Sequence, residues 1–270
     1  MRDIALLITD VDGTLVTQDK VLTQASRDAA RELRQAGVRL GITSGRPPRG
    51  MRMLVEPLML DTVIGGFNGG AYVNPDLSVI DRRSLALDVA QQALKIILDG
   101  GLDAWVYTAE EWLIRNPDAP HVKREAFTVQ FDAKVVPSFS DEVLQHAVKI
   151  VGVSNDHGRV AACERAAQGA LGSRASATRS QPYYLDVTHP DANKGAVVER
   201  LSQILSIPSS RIATIGDGAN DVLMFRKSGF SIAMGNASDE VKRQASVVTD
   251  TNEQDGFARA VRQFILERPT

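Results

Sequence analysis

The sequence predicts an α/β protein: a Rossmann-like, doubly wound, mostly parallel sheet with an inserted α+β domain. Three observations lead to this prediction. Residues 4–8 are a short aliphatic run, typical of a strand buried on both faces, and Asp10 and Asp12 follow it directly. Strand-like and helix-like segments then alternate along the chain. The alternation stops in the middle third and resumes near residue 193, which indicates an insertion.

The first part of the chain shows the alternation clearly. Residues 23–36 are predicted to form an amphipathic helix, with Thr23 as its N-cap and Gly37 at its end. Residues 38–42 and 62–67 are predicted as the second and third strands. Each of these strands ends in a polar, glycine-containing stretch. The order strand, helix, strand, helix, strand is the pattern of a doubly wound domain.

The middle of the chain has a different pattern, with short strands and both tryptophans of the protein. The predicted helices there cover residues 85–98, 119–126 and 159–171. The predicted strands cover residues 103–108, 112–115, 149–154 and 183–187. We therefore divide the chain into a discontinuous core, residues 1–81 and 188–270, and an inserted α/β domain, residues 82–187, called the cap below. About a hundred residues is a normal size for such a domain.

The alternation returns after the insertion and completes the core. Helices are predicted at residues 195–205, 222–228, 239–245 and 256–267. Strands are predicted at residues 211–215, 230–234 and 246–248. The strand at 211–215 ends in a glycine- and acid-rich turn, which is the position where ligands bind in open α/β sheets.

The composition excludes several classes of function. The 270 residues carry a net charge of −2, so the basic surplus of a nucleic-acid or membrane-surface protein is missing. The single cysteine, Cys163, cannot form an internal disulfide, and the four histidines show no zinc-ligand spacing. We expect no signal peptide and no membrane span, and therefore a cytoplasmic protein. The sequence does not indicate the oligomeric state.

The two aspartates after the first strand are the strongest candidates for chemistry. In extended backbone, residues i and i+2 point to the same side, so Asp10 and Asp12 can face one small volume. Two carboxylates so close together favour a bound hard cation such as Mg²⁺. A polar turn at the strand end is the alternative reading. An EF-hand loop is excluded because Thr14 and Leu15 occupy positions where it needs an acid or amide and a glycine.

Three other polar stretches stand where predicted strands end or helices begin. Ser44 can donate its hydroxyl to a phosphoryl oxygen, although a simple helix cap is an equally ordinary role. Lys194 opens a helix and offers a point charge for phosphate, although a solvated lysine is the commoner case. The run 216–221, Gly-Asp-Gly-Ala-Asn-Asp, supplies carboxylates beside flexible backbone, or else an ordinary helix-capping turn.

Taken in order, these motifs resemble those of the haloacid dehalogenase superfamily, whose members are mostly phosphatases. The details resemble the Cof-type branch, in which an α/β cap of the C2B type is inserted between the second and third motifs. The resemblance covers the whole core and, in the cap, the layout alone. It rests on the runs at 10–15, 44–47, 68–69, 193–195, 216–221 and 234–237.

The resemblance implies a Mg²⁺-dependent phosphatase that works through an aspartyl-phosphate intermediate. Asp10 would be the nucleophile and Asp12 the general acid and base. The catalytic residues it implies are Asp10, Asp12, Ser44 and Lys194. The residues it implies for phosphate or substrate binding are Ser44, Gly45, Arg46, Asn68, Lys194 and Asn220. The metal site it implies uses Asp10, Asp12 through its backbone carbonyl, Asp217 and Asp221, with Asn220 in support.

The resemblance also sets the substrate class and leaves rivals open. An inserted cap suits a small phosphomonoester, and many Cof-type relatives act on sugar phosphates. A phosphomutase or phosphotransferase of the same fold remains possible, as does a non-catalytic binding protein. The sequence does not reveal which cap residues contact the substrate. The candidates are Trp105, Tyr107, Trp112, Arg115, Lys123, Arg124, Tyr183 and Tyr184.

Overall fold

A computed structural model of the chain describes residues 3–267, whose strands form three sheets. The strands in this range are β1 (Leu6–Thr9), β2 (Arg39–Ile42), β3 (Ile64–Gly66), β4 (Ala71–Val73), β5 (Val79–Arg82), β6 (Asp103–Tyr107), β7 (Trp112–Ile114), β8 (Lys134–Val135), β9 (Lys149–Val153), β10 (Ser176–Gln181), β11 (Tyr184–Thr188), β12 (Ile212–Gly216), β13 (Phe230–Ala233) and β14 (Val247–Val248).

The α-helices are α1 (Gln24–Gln35), α2 (Arg52–Val55), α3 (Leu87–Asp99), α4 (Val122–Val129), α5 (Asp141–Leu144), α6 (His157–Leu171), α7 (Lys194–Leu205), α8 (Val222–Lys227), α9 (Asp239–Lys242) and α10 (Gly256–Ala260). Short 3-10 turns cover Pro48–Met51, Gly172–Arg174, Ser209–Arg211, Ala219–Asp221 and Asn252–Gln254. The closing helix, predicted over residues 256–267, changes from α-helix to a π-helix at Val261–Leu266.

The core sheet is parallel throughout, as the sequence predicts. Its order is β14-β13-β12-β1-β2, so the strand that carries the two aspartates lies between β12 and β2. All four residues of β1 are fully buried, because helices cover both faces of the sheet. The carboxyl ends of β1, β2 and β12 therefore meet at one edge, where their polar motifs come together.

The third predicted strand joins a different sheet from the one expected. We expected residues 62–67 to extend the doubly wound sheet, but β3 pairs antiparallel with β4, and β4 with β5. A single bridge between Thr43 and Gly65 connects this small sheet to β2. The strands β4 and β5 were not predicted from the sequence. A three-residue strand between tight turns carries too few residues for a periodic pattern, which explains the omission.

The cap contains a six-stranded sheet of order β10-β11-β9-β6-β7-β8, antiparallel except for the β7–β8 pair. One face carries aliphatic side chains that pack under α3 and α6, among them Val106, Ile150 and Leu185. The other face carries aromatic residues such as Trp105 and Tyr107, which pack with Phe67 of the core. This second face is turned toward the carboxyl ends of the core strands.

Two strands of the cap sheet were not predicted, and both lie at its edges. The strand β10 reads Ser-Ala-Thr-Arg-Ser-Gln, is largely exposed and pairs only with β11, so it needs no alternation of apolar residues. The strand β8 has two exposed residues. The short helix α5 was not predicted either, and the other strands and α-helices of the cap lie within a few residues of their predicted positions. The domain boundaries at residues 82 and 187 stay a prediction.

None of the helices within residues 3–267 combines the length and apolar character that crossing a membrane requires.

Candidate active site

Three neighbouring strands deliver acidic and hydroxyl side chains to one point. Asp10 follows β1, Ser44 lies just beyond β2, and Asp217 follows β12. Because the three strands are parallel and adjacent, their last residues lie side by side. Asp10 is 5% exposed and Ser44 is 2% exposed, so these groups lie at the bottom of a cleft rather than on the surface.

Lys194 lies between two of the acidic side chains. It is the first residue of α7, which is capped by the Asn193 side chain accepting from the backbone N–H of Ala196. The Lys194 ammonium donates to Asp10 Oδ1 at 2.5 Å and also to Asp221 Oδ1. Its side chain is 2% exposed. This buried lysine therefore compensates two buried carboxylates at once.

Burial and charge change the proton affinities of this cluster. Burial raises the pKa of Asp10 to about 8, and the Lys194 charge opposes this rise. Burial alone would lower the pKa of Lys194, but the charges of Asp10 and Asp221 hold it above its ordinary value. Burial and then the neighbouring Asp221 charge raise the pKa of Asp217. Strongly shifted pKa values in a cleft are typical of functional sites.

Three carboxylates form a group suited to a divalent cation. Asp10, Asp217 and Asp221 each offer one oxygen, and these oxygens all lie within 4.8 Å of one another. Gly13, at a φ of +80°, passes so close that a Cβ there would lie 2.4 Å from Asp217 Oδ2. An all-oxygen donor set fits a hard cation of the Mg²⁺ type.

The Asp217 carboxylate is held by residues that the sequence analysis did not select. Thr14 donates its hydroxyl to Asp217 Oδ1 at 3.0 Å. The Asn236 amide donates to the Gly13 carbonyl at 2.8 Å and to Asp217 Oδ2 at 3.3 Å. Thr14 and Asn236 lie within two motifs noted in the sequence, Asp10–Leu15 and Met234–Ala237. Membership of those motifs was the signal by which the sequence could have identified them.

Asp221 has a different arrangement from the other two acids of this group. Its Oδ2 accepts from the backbone N–H groups of Asp217 at 3.0 Å and Gly218 at 2.8 Å. Its Oδ1 accepts from Lys194. Both oxygens of this fully buried carboxylate therefore already have protein partners, and Asp221 ties the turn after β12 to α7.

Asp12 is ion-paired on the other side of the site. The Arg46 guanidinium donates from Nε to Asp12 Oδ2 at 2.7 Å and from Nη2 to Oδ1 at 2.6 Å. Lys20 donates to the same Oδ1 at 2.7 Å. Burial acts to raise the pKa of Asp12, but Arg46 and Lys20 hold it at about 2. Its carboxylate thus lies outside the three-acid group, and Lys20 was not anticipated because nothing in its loop forms a motif.

The predicted phosphate-binding residues line one cavity. It has a volume of about 380 Å³, and Ser44, Gly45, Arg46, Asn68, Lys194 and Asn220 all line it together with Asp10, Asp12 and Asp217. The Asn220 amide donates to Asn68 Oδ1 at 3.3 Å, joining the turn after β12 to the turn after β3. Arg46 was expected to bind phosphate, whereas in this structure it contacts Asp12.

The cap closes the other side of the cavity. Of the eight cap candidates, Trp105, Arg124, Tyr183 and Tyr184 line it, while Tyr107, Trp112, Arg115 and Lys123 do not. The Tyr107 hydroxyl is buried and donates to Glu125 at 2.7 Å, which is a packing role. Eight further cap residues that were not candidates line the cavity, among them the charged residues Glu125, Lys149 and Asp186.

Comparison with known proteins decides the family. A profile of the haloacid dehalogenase-like hydrolase family matches residues 7–261. The chain belongs to this family. The match spans both the core and the cap, so the resemblance seen in the motifs extends over the whole fold.

Individual family members support the assignment along nearly the whole chain. The chain is 27% identical over 265 residues to 5-amino-6-(5-phospho-D-ribitylamino)uracil phosphatase of Bacillus subtilis, covering 98% of this chain and 97% of the relative. It is 30% identical over 241 residues to the HMP-PP phosphatase of Cronobacter sakazakii, covering 86% and 84%. A haloacid dehalogenase-like hydrolase from Bacteroides thetaiotaomicron superposes with a TM-score of 0.89 at 27% identity, covering 96% and 99%.

As a haloacid dehalogenase-like hydrolase of the Cof type, the chain is a phosphoric monoester hydrolase. The predicted fold class, a doubly wound, mostly parallel α/β core with an inserted α+β cap, is confirmed as well. Hydrolases of this family generally use a divalent metal, and the group of Asp10, Asp217 and Asp221 is chemically suited to one.

Proposed function

We propose that the protein is a Mg²⁺-dependent phosphatase of small phosphomonoesters, such as sugar phosphates, and that it works through an aspartyl-phosphate intermediate. The observation that carries this proposal is the position of Asp10. Its carboxylate lies in the cavity, contacts Lys194 at 2.5 Å and belongs to the three-acid group. A nucleophile beside a cation and a candidate metal site is what phosphoryl transfer requires.

In the first step of the proposed reaction, an Asp10 oxygen bonds to phosphorus as the bond from phosphorus to the ester oxygen breaks. Arg46 and Lys20 keep Asp12 ionised in the structure, so the binding of the anionic phosphate has to raise its proton affinity until it takes up a proton. The protonated Asp12 then gives this proton to the departing alcohol oxygen. In the second step Asp12 takes a proton from water, whose oxygen attacks the same phosphorus and releases Asp10 and inorganic phosphate. Arg46 and Lys20 hold the Asp12 carboxylate beside Asp10.

Other residues of the site bind the phosphoryl group or the metal in this proposal. Ser44, the backbone at Gly45 and Lys194 would hold the transferring oxygens. Asp10, Asp217 and the Asp12 carbonyl would hold Mg²⁺, while Asp221 positions Lys194 and the turn after β12. When bound, Mg²⁺ would supply charge neutralisation between the carboxylate nucleophile and the anionic phosphate.

The proposal for a small substrate rests on the cavity. A volume of about 380 Å³, closed on one side by cap residues, suits a metabolite. We propose that residues 82–187 move relative to the core about the two crossings near Asp81 and Thr188, admitting substrate and then excluding water. A protein or a long nucleic acid does not fit such a chamber.

The decisive experiment measures release of inorganic phosphate from p-nitrophenyl phosphate and from a panel of phosphorylated metabolites. We expect turnover with Mg²⁺, loss of turnover with EDTA and recovery when Mg²⁺ is returned. Asp10→Asn serves as the inactive control, and rapid acid quenching should trap a phosphorylated wild-type protein. Turnover that is unchanged by EDTA would reject the metal dependence, and better turnover of phosphopeptides than of any metabolite would reject the small-substrate proposal.

A further inference from the structure

The cavity face of the cap sheet carries one ion pair among aromatic and aliphatic residues. Lys149 on β9 and Asp186 on β11 lie diagonally across adjacent strands, because Asp186 pairs with Val151 and Lys149 with Thr188. Both charged side chains line the cavity. The Lys149 ammonium also lies 5.2 Å from the centre of the Tyr107 ring.

The charged groups of this pair have few polar partners, although both side chains are largely buried. The side chains of Lys149 and Asp186 are 12% and 18% exposed, yet their closest charged atoms are 3.5 Å apart. Asp186 Oδ1 is buried and has no hydrogen-bond partner within residues 3–267. Leaving a buried acceptor unpaired is unfavourable, and apolar residues would pack this face without that cost, as Val151 does beside them. Stability therefore does not explain the pair.

The cavity face of the cap sheet forms one wall of the cavity, and two more polar atoms in this wall lack hydrogen-bond partners. The indole N–H of Trp105 and the hydroxyl of Tyr184 are buried without a hydrogen bond in the part of the chain that the structure describes, and both residues line the cavity. These atoms lie beneath the surface of the wall, so the polar groups that reach the cavity are the partly exposed ends of Asp186 and Lys149, an acceptor and a donor. A ligand hydroxyl, which both donates and accepts, complements this pair.

The charged residues of this wall restrict the kind of leaving group further. Among the described residues, the charged side chains that the cap contributes to the cavity are Arg124, Glu125, Lys149 and Asp186, two positive and two negative. A balanced wall offers no net attraction to a second phosphate or a carboxylate. The phosphate-binding charges lie opposite, at Lys194 and the metal group, so the wall faces the part of the substrate that leaves.

From this arrangement we propose that Lys149 and Asp186 are specificity-determining residues that bind hydroxyl groups of an uncharged, polyhydroxylated leaving group. The Asp186 carboxylate accepts a hydrogen bond from one hydroxyl, and Lys149 Nζ donates to the same or the next oxygen. This inference rests on the proposed phosphatase function and adds to it the residues that select the substrate.

The test compares two alkyl phosphates of equal chain length, erythritol 4-phosphate and n-butyl phosphate, with Mg²⁺ present. The quantity of interest is the ratio of their kcat/KM values. Asp186→Asn removes the charge at constant size. The double variant Lys149→Met with Asp186→Val removes both charges, so that neither is left buried alone. The matched control is Lys134→Met with Glu111→Val, which removes an exposed ion pair of the same sheet outside the cavity.

We expect the wild-type protein to prefer erythritol 4-phosphate, since a site built for hydroxyl groups rejects an analogue without them. Each variant at the cavity should reduce the ratio by roughly 10- to 100-fold, the effect of losing one or two hydrogen bonds to charged groups. The control variant should keep the wild-type ratio. Thermal unfolding of the double variant should occur no lower than that of the wild type.

Two results would overturn the inference while the phosphatase function stands. One is a wild-type ratio near one with n-butyl phosphate turned over. The other is an equal loss for both substrates in the cavity variants, which would indicate a structural role for the pair. If neither these substrates nor p-nitrophenyl phosphate is hydrolysed, the proposed function itself fails, and the inference fails with it.

Discussion

Arg46 and Asp12 form a two-point ion pair, with Nε to Oδ2 at 2.7 Å and Nη2 to Oδ1 at 2.6 Å. The Arg46 side chain is 3% exposed, whereas that of Asp12 is 32% exposed, so a buried guanidinium fixes a more accessible carboxylate. The fork of the guanidinium defines both the position and the plane of the carboxylate. Arg46 therefore presents Asp12 to the cavity in one orientation.

Changing Arg46 should impair catalysis through Asp12. Arg46→Lys keeps the charge but loses the two-point contact, and we expect kcat/KM for p-nitrophenyl phosphate to fall roughly 10-fold. For Arg46→Ala we expect kcat/KM to fall further, because only Lys20 then holds Asp12. Arg52→Lys, an exposed arginine just beyond, is the control and should behave as wild type. An unaltered rate in Arg46→Lys would mean that the fork is not needed.

Asp10→Asn should abolish turnover with the fold intact. The amide is a poor nucleophile, and it also removes one oxygen from the three-acid group. Phosphate release from p-nitrophenyl phosphate and circular dichroism are the two measurements. Asp99→Asn, at an exposed ion pair of the cap, is the matched control and should leave the rate unchanged. Residual activity of Asp10→Asn above a few per cent would argue for a different nucleophile.

The loss of activity in Asp12→Asn should depend on the leaving group of the substrate. A good leaving group such as p-nitrophenolate needs little protonation, whereas an alkoxide needs it strongly. We therefore expect a larger loss for an alkyl phosphate than for p-nitrophenyl phosphate, by roughly 10-fold or more. The measurement is kcat for both esters in wild type and variant. Equal losses would count against Asp12 as the acid.

Lys194→Met should destabilise the protein and inactivate it. Without the ammonium, the buried carboxylates of Asp10 and Asp221 face each other uncompensated, and breaking a buried ion pair typically costs about 3–5 kcal/mol of unfolding free energy. The expected drop in Tm should be larger in EDTA than in Mg²⁺, because a bound cation compensates the same charges. Lys227→Met, at an exposed pair with Glu199, is the control. A Tm equal to that of wild type in both buffers would contradict this account.

Gly50→Val should hold the cap away from the core. A Cβ at Gly50 would lie 3.1 Å from the Val129 carbonyl oxygen and 3.3 Å from its Cα, at the end of α4, so larger atoms there require α4 to move. We expect a higher KM and a lower kcat for a metabolite-sized phosphomonoester. Gly169→Ala adds a Cβ with nothing within 4 Å and is the control. Kinetics identical to wild type would mean that this contact has no part in closure.

Much of the core could be predicted from the chain because its signals are local. An aliphatic run that ends in Asp10 and Asp12 defines a buried strand and its functional end by neighbouring residues alone. The same holds for the turn after β12 and for the helix that Lys194 opens. Periodicity failed where elements are too short, as in β4, or need no apolar face, as in β10.

The sequence by itself determined the family, the order of the motifs and the residues Asp10, Asp12, Ser44, Lys194 and Asp217 as candidates. Only the tertiary structure decided how their charges are shared. Arg46 binds Asp12, Asp221 binds Lys194 and a turn, and Lys149 faces Asp186 across two cap strands. These partners are distant in the chain, and ion pairing depends on distances of a few ångströms in space, which no local pattern encodes.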